Sequence, residues 1–267
     1  FREGDVLNNL PFVSLLFLLN QILPADILQK ILFSLAIFLP GYLFYLFLPK
    51  KLGEIPRAVA ATFYMINPFT YERFTAGHLS VLFAYAFLPV CFHYFIKTFE
   101  DKRNKDIFLA AIFWTLTVVF SLHFLFITSI LFLAVAISFT IVGSMLPPSL
   151  KLRRAGLRGA IMQTLKIFLK ILLFLLFFNS FWLIPLLFSP SNNILANADL
   201  THFEAFRTAA DPIYGLLPNI LGMYGFWREA TMENEIMLAK DAFPFWPFFY
   251  SIFLIPIILG AAKLIKD

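Results

Sequence analysis

Charged side chains are scarce in this sequence. Asp, Glu, Lys and Arg supply 14% of its 267 residues, where a soluble domain carries about 25%. Hydrophobic residues reach 60% and mean hydropathy is +0.82, which excludes an ordinary soluble domain. Cysteine is reduced to Cys91, inside an apolar run. One cysteine makes no intrachain disulfide, zinc cluster or redox pair, so Cys91 reads as a packing residue. There is no Asn-x-Ser/Thr sequon, Walker loop, dinucleotide fingerprint or HExxH. N-glycosylation, ATPase, dehydrogenase and zincin readings therefore have no support. The net charge of +5 does not point to nucleic acid, because excess Lys and Arg in an apolar chain mark cytoplasmic loops. The first residue is Phe, with no basic n-region ahead of the apolar stretch. The expectation is a fragment whose true N-terminus lies upstream.

What the chain does have is phenylalanine, 36 copies, and long apolar runs. A helix crossing the hydrocarbon core needs about 20 mostly apolar residues. Candidate spans are Ile31 to Pro49, Phe74 to Ile96, two within Ile107 to about Leu150 with a break at Ser121-Leu122-His123, Ile167 to Phe188, and Ala242 to Ala262. Ala58 to Tyr71 is too short to cross alone unless its end sits in a protein-lined recess. Val6 to Ala25 is interrupted by Asn8, Asn9, Pro11, Asn20 and Gln21. It reads as a span, a re-entrant segment or an interfacial helix. The expected fold is an all-α polytopic transmembrane bundle of about seven to eight segments with one large extracytoplasmic loop. Residues 1–188 form the bundle, 189–241 the loop, and 242–267 the final helix with a cytoplasmic tail.

Basic residues cluster at Lys50, Lys51 and Arg57; at Lys97, Lys102, Arg103 and Lys105; along Lys151 to Lys170; and at Lys263 and Lys266. With the spans above, all four groups fall on one side, which should be cytoplasmic. Attraction to anionic membrane lipids accounts for the cluster from Lys151 to Arg158 without nucleic acid. Glu3, Asp5, Asp26, Glu72 and the loop 189–241 then face outward. A loop of that length is a functional candidate, and it is rich in aromatics: Phe203, Phe206, Tyr214, Tyr224, Phe226 and Trp227.

The stretch NPFTYERFTAGHLS, residues 67 to 80, places Glu72, Arg73 and His78 within seven positions. Pro68 after Asn67 biases the chain out of helix at that point. Gly77 permits a turn. An arginine at the outer boundary suits a phosphate, because its planar fork donates two parallel hydrogen bonds. A histidine beside it adds a donor or titrates near neutrality. The competing reading is structural: boundary charges snorkel to water, and a histidine at a helix end caps it.

The run ATFYMINPFTYERFTAGH, followed by FAYAFLPV, resembles a segment of GT-C class membrane glycosyltransferases, most of all the arabinofuranosyltransferase-like group. The matching positions are Asn67, Pro68, Arg73, Gly77, His78, Tyr85 and Pro89, with Ser121 and His123 fitting a later helix break. The specific match covers about 30 residues, and a looser helix pattern extends over residues 1 to 190. The resemblance implies a polyprenyl-phosphate-linked sugar as donor and transfer on the extracytoplasmic face of a prokaryotic cytoplasmic membrane. It further implies an Asp or Glu of the first external loop as general base, and basic residues opposite the leaving phosphate. The chain departs from the pattern where that carboxylate is expected, since the family's first helix would lie upstream of Phe1. Glu3, Asp5 and Glu72 are the remaining candidates for the base, and Arg73, His78, His123 and Arg207 for substrate binding.

His123 is an ionisable group in a long apolar stretch, which by default marks a functional site in a membrane. His202 and Glu204 are two ligands where a metal site needs more. No cofactor is identified, and a divalent metal remains compatible with the outer loop. Arg228-Glu229 reads as an interfacial anchor. Two other classes compete with the enzyme reading. One is a non-catalytic membrane subunit working with a partner subunit that supplies the carboxylate. The other is a lipid or polysaccharide transporter or flippase, against which stand the lack of an internal repeat and the scarcity of intramembrane charge.

Overall fold

A computed structural model describes residues 7–145, 156–188 and 215–217. The chain divides into two compact units, Phe1–Asn192 and Asn193–Asp267. Of the second, Gly215–Leu217 are described. The expected loop 189–241, the final span, Glu3, Asp5 and Arg207 lie outside the described residues.

In the first unit every regular element among the described residues is a helix: α1 (Leu10–Asn20), α2 (Ala25–Phe47), α3 (Glu54–Met65), α4 (Pro68–Thr75), α5 (Leu79–Glu100), α6 (Asn104–Phe120), α7 (His123–Met145) and α8 (Gly156–Phe188). Four stretches are long and apolar enough to cross a membrane: Ala25–Phe47, Leu79–Glu100, His123–Ile141 and Ile161–Phe188. The outer surfaces of three of them carry Phe38, Phe126, Ile130 and Phe177, each more than 60% exposed. A soluble protein does not present so much contiguous apolar surface. This is a membrane protein.

Local chemistry sets the helix limits. Asp26 sits in the first turn of α2, where a carboxylate favours the helix dipole, and pairs with Lys30 at 3.8 Å. Pro40 lies buried within α2. Next to it, a Cβ on Gly41 would stand 2.8 Å from the Met65 Cβ, so the glycine is what lets α3 lie this close. Between α6 and α7 the chain turns at Ser121 and Leu122, as the sequence break predicts. Ser121 is extended (φ −156°) and ends α6.

The main core joins α5, α6, α7 and α8 through Cys91, Phe95, Trp114, Phe132 and Ile171. Phe95 meets Trp114 and Phe132 edge to face, at centroid distances of 5.2 and 4.9 Å, the arrangement aromatic quadrupoles favour. Because lipid tails are as apolar as leucine, polar ties add specificity here, each worth roughly 0.6 kcal/mol. Asn179 of α8 donates to the Thr115 hydroxyl of α6 at 3.2 Å and accepts from the Trp182 indole at 2.9 Å.

The two ends of the unit differ. At one, the rings of Phe47 and His93 are 5.1 Å apart, Lys102 donates to Gln163 at 3.1 Å, and Lys170 to Asn104 at 2.9 Å. Lys50, Lys51, Lys97, Lys102, Arg103, Lys105, Lys166 and Lys170 therefore share this basic end. Arg57 departs from its expected place in an exposed loop. It belongs to α3 and is buried. Its guanidinium donates to the Tyr45 carbonyl at 2.6 Å and lies 4.3 Å from the Tyr45 ring centroid. The last turn of α2 leaves carbonyls without helical donors, and Arg57 caps one of them.

At the opposite end lies α1. Its 11 residues reach about 16 Å, too little to cross a bilayer core. Of the readings open for residues 6–25, a full span is thereby excluded. Asn8 donates to the Val118 carbonyl at 3.1 Å, in the last turn of α6. Phe12 wedges between Phe83 and Phe120, at 5.7 and 4.9 Å.

Candidate functional site

The segment from Tyr64 to His78 is built around two backbone interruptions. The first separates α3 from α4. Ile66 is extended, and Asn67 opens α4 with a reciprocal cap: its side-chain oxygen accepts from the Thr70 amide, and the Thr70 hydroxyl accepts from the Asn67 amide, both at 3.0 Å. Pro68 follows at the first helical position, where its missing N–H costs nothing. The carbonyls freed at the end of α3 are answered in turn. Asn67 Nδ2 donates to Tyr64 O (2.8 Å) and Phe63 O (3.3 Å), Tyr85 Oη to Tyr64 O (3.2 Å), and Thr70 Oγ1 to Met65 O (3.0 Å). Tyr64 returns a bond from its hydroxyl to Tyr85 O at 2.9 Å. The rings of Phe44, Tyr64 and Tyr85 stack nearly parallel, with centroids 4.3 and 4.1 Å apart. Asn67, Pro68 and Tyr85, three of the residues that carry the family resemblance, thus brace a broken helix.

The second interruption ends α4. Gly77 has φ +72°, a left-handed conformation that costs glycine nothing. Its N–H bonds to Phe74 O at 3.0 Å, and the next N–H, of His78, bonds to Arg73 O at 2.8 Å. This pair of bonds is the Schellman arrangement. It carries His78 back over the last turn of α4, where its Nδ1 lies 3.3 Å from Arg73 Nη1. A guanidinium only donates, so Nδ1 accepts and the imidazole proton sits on Nε2. Arg73 and His78 together form a donor-only pair.

Arg73 is half-buried and also lies over the Phe69 ring at 5.4 Å. Burial pulls the guanidinium below its ordinary pKa, while the neighbouring Glu72 charge acts the other way. Glu72 itself is buried. Phe74 meets Phe33 of α2 edge to face at 5.2 Å. Phe33 lies eight residues into α2, so the turn carrying the pair is set back about 12 Å from the start of that helix.

Ser121 and His123 occupy the same end. Phe74 and Phe120, their neighbours in sequence, both pack on the small cluster of Ala36, Leu82 and Phe83. Ser121 Oγ is 3.5 Å from His123 Nδ1. His123 is exposed as the first residue of α7. The turn at Ser121 brings the ring to the end of the bundle, as a break at Ser121-Leu122-His123 leads one to expect.

No family model, curated protein or solved structure matches the chain.

The residues themselves must carry the functional argument. Arg73 and His78 are brought together; Ser121 and His123 form a second pair at the same end. Among the described residues no group of three or more His, Cys, Asp and Glu is placed to hold a metal ion. Sequence reasoning missed that Glu72 is buried and that Tyr64 and Thr70 belong to the same framework. The Asn-Pro-x-Thr pattern carried a signal for the latter, because a capping Asn three residues before a hydroxyl is how a reciprocal cap is written.

Proposed function

We propose that the chain is an integral membrane glycosyltransferase of the GT-C kind that takes its sugar from a polyprenyl-phosphate donor at the end holding Arg73 and His78. The observation that carries this reading is the donor-only pair itself, 3.3 Å between Nη1 and Nδ1, set back from the start of α2 beside aromatic and apolar side chains. An anionic headgroup on an apolar tail is what such a place suits. In transfer, an acceptor hydroxyl attacks the anomeric carbon and the bond from that carbon to the phosphate oxygen breaks. The lipid phosphate leaves with the electron pair, and the hydroxyl proton passes to a carboxylate. Arg73 and His78 stabilise the charge growing on the phosphate. Glu3, Asp5 and Glu72 are the candidates for the carboxylate.

In this reading the basic end faces the cytoplasm, the pair faces outward from a prokaryotic cytoplasmic membrane, and the protein has seven to eight segments with residues 189–241 as its outer loop. His123 adds a further substrate contact at that end. The helix break favours transfer over transport: transporter sites expose the carbonyls of broken helices to ions, whereas here Phe63, Tyr64 and Met65 already accept from Asn67, Tyr85 and Thr70. The burial of Glu72 supports a second reading, a non-catalytic subunit that binds the lipid phosphate while a partner supplies the base.

The test is Arg73→Ala in purified protein in nanodiscs. Loss of polyprenyl-phosphate binding and of sugar transfer, with an unchanged melting profile, is expected. Normal binding and transfer by the variant would sink the role of Arg73. Binding without transfer in the wild type, restored by a partner, selects the subunit reading.

A further inference from the structure

We propose that Gly77 is the positioning residue of this site: its left-handed backbone, and not the room around it, holds Arg73 and His78 together as one donor array. The inference rests on the reading of that pair as the anion-binding element. Three observations carry it. The φ of +72° lies where side chains are rarely tolerated. The two hydrogen bonds that reverse the chain, Gly77 N to Phe74 O and His78 N to Arg73 O, both require that conformation. Among the described residues a Cβ built on Gly77 meets no atom within 4 Å beyond its chain neighbours, so a methyl group there acts through the backbone.

The third observation separates positioning from packing. A glycine kept for space would have a neighbour that a methyl group strikes, as Gly41 does. Gly77 has none. Turning residue 77 out of the left-handed region removes the His78 N–H from Arg73 O, and the first turn of α5 swings the imidazole away from Nη1. Arg73 and His78 would both remain in place in the sequence and cease to act as a pair. Asparagine visits the left-handed region more readily than other side chains, so Gly77→Asn preserves the pair and Gly77→Val does not. Gly53 is an internal control. Its φ is +83°, its Cβ would meet only Pro56 Cδ at 3.9 Å, and it lies at the basic end.

The experiment uses full-length protein with 15N-labelled histidine in nanodiscs, the His78 resonances being assigned with His78→Gln among the four histidines. Wild type, Gly77→Asn and Gly53→Ala should each show His78 as the Nε2–H tautomer with a hydrogen-bonded Nδ1. Gly77→Val should lose that signature. Gly77→Ala carries a smaller left-handed strain than valine, should weaken the signature, and replaces the valine variant if the latter does not fold. Retention of the signature in the folded valine or alanine variant overturns the inference, as does its loss in Gly53→Ala. Affinity for polyprenyl phosphate should fall about tenfold in the variant that loses the signature, the worth of one charge-assisted hydrogen bond. A lost signature with unchanged affinity supports the positioning role and sinks the lipid-phosphate reading instead.

Discussion

The Tyr85 hydroxyl and the Asn67 amide meet at 3.2 Å across 18 residues of sequence, each also donating to the Tyr64 carbonyl. One carbonyl with two donors is how the broken helix is held shut. Tyr85→Phe keeps the ring stack and removes one donor, so it should cost about 1 kcal/mol. Asn67→Ala removes the cap as well and should cost about 1–2 kcal/mol. Thermal unfolding in detergent checks both. An Asn67→Ala loss no larger than that of Tyr85→Phe would show that the cap contributes nothing.

Gly41→Leu should destabilise by about 1–3 kcal/mol through overpacking, since even a methyl group at 41 stands 2.8 Å from Met65 Cβ. The companion change Met65→Ala should recover part of the loss. The double variant, compared with each single one by thermal melting, reads the coupling directly.

Arg73→Met should leave thermal stability unchanged or raise it, even as it removes anion binding. Burial lowers the folded pKa of the guanidinium below its unfolded value. A cation with a lowered folded pKa holds its proton less tightly when folded, so its charge opposes folding at every pH below that pKa. The opposition is relieved only as pH rises through it, and arginine side chains stay protonated across the neutral range. Melting of the wild type and of the Arg73→Met variant across pH 6 to 9 should therefore differ by a constant offset. A large loss of stability in the variant would mark Arg73 as structural.

Sidedness is open to a cysteine test, because Cys91 is fully buried and gives no labelling background. Thr75 and Lys102 are both exposed, at opposite ends of the bundle. Thr75→Cys should react with a membrane-impermeant maleimide from outside intact cells and Lys102→Cys only after permeabilisation. The reverse pattern would place the Arg73–His78 pair on the cytoplasmic face.

Hydropathy made the helices legible because span length and apolar content are local properties. The turn at Ser121 and the interruption at Asn67-Pro68 also showed, since proline and polar clusters act on neighbouring backbone. Long-range polar partners did not. Asn179 and Thr115 are 64 positions apart, and nothing in either stretch names the other. Arg57 reads as a loop cation because two lysines stand near it, yet the open carbonyl at Tyr45 draws it inward. At the candidate site the residue types in 67–78 were visible, whereas the pairing of Arg73 with His78 depends on a backbone angle at Gly77 that composition does not encode.

The break at Asn67 also bears on how the chain enters the membrane. With Glu54 and Arg57 in α3 and Glu72 and Arg73 in α4, neither piece meets the roughly 20-residue apolar length that lets a segment partition into lipid by itself. The Tyr64 carbonyl at the end of α3 accepts from Tyr85, in the following helix. The order of insertion expected from this is out of chain sequence: α2 and α5 lodge first, and the segment between them is drawn in once the Tyr85 hydroxyl can reach the Tyr64 carbonyl. The turn that joins Arg73 to His78 is closed by bonds within residues 73–78 and can form with α4 itself, whereas its place between α2 and α5 waits on the later helix.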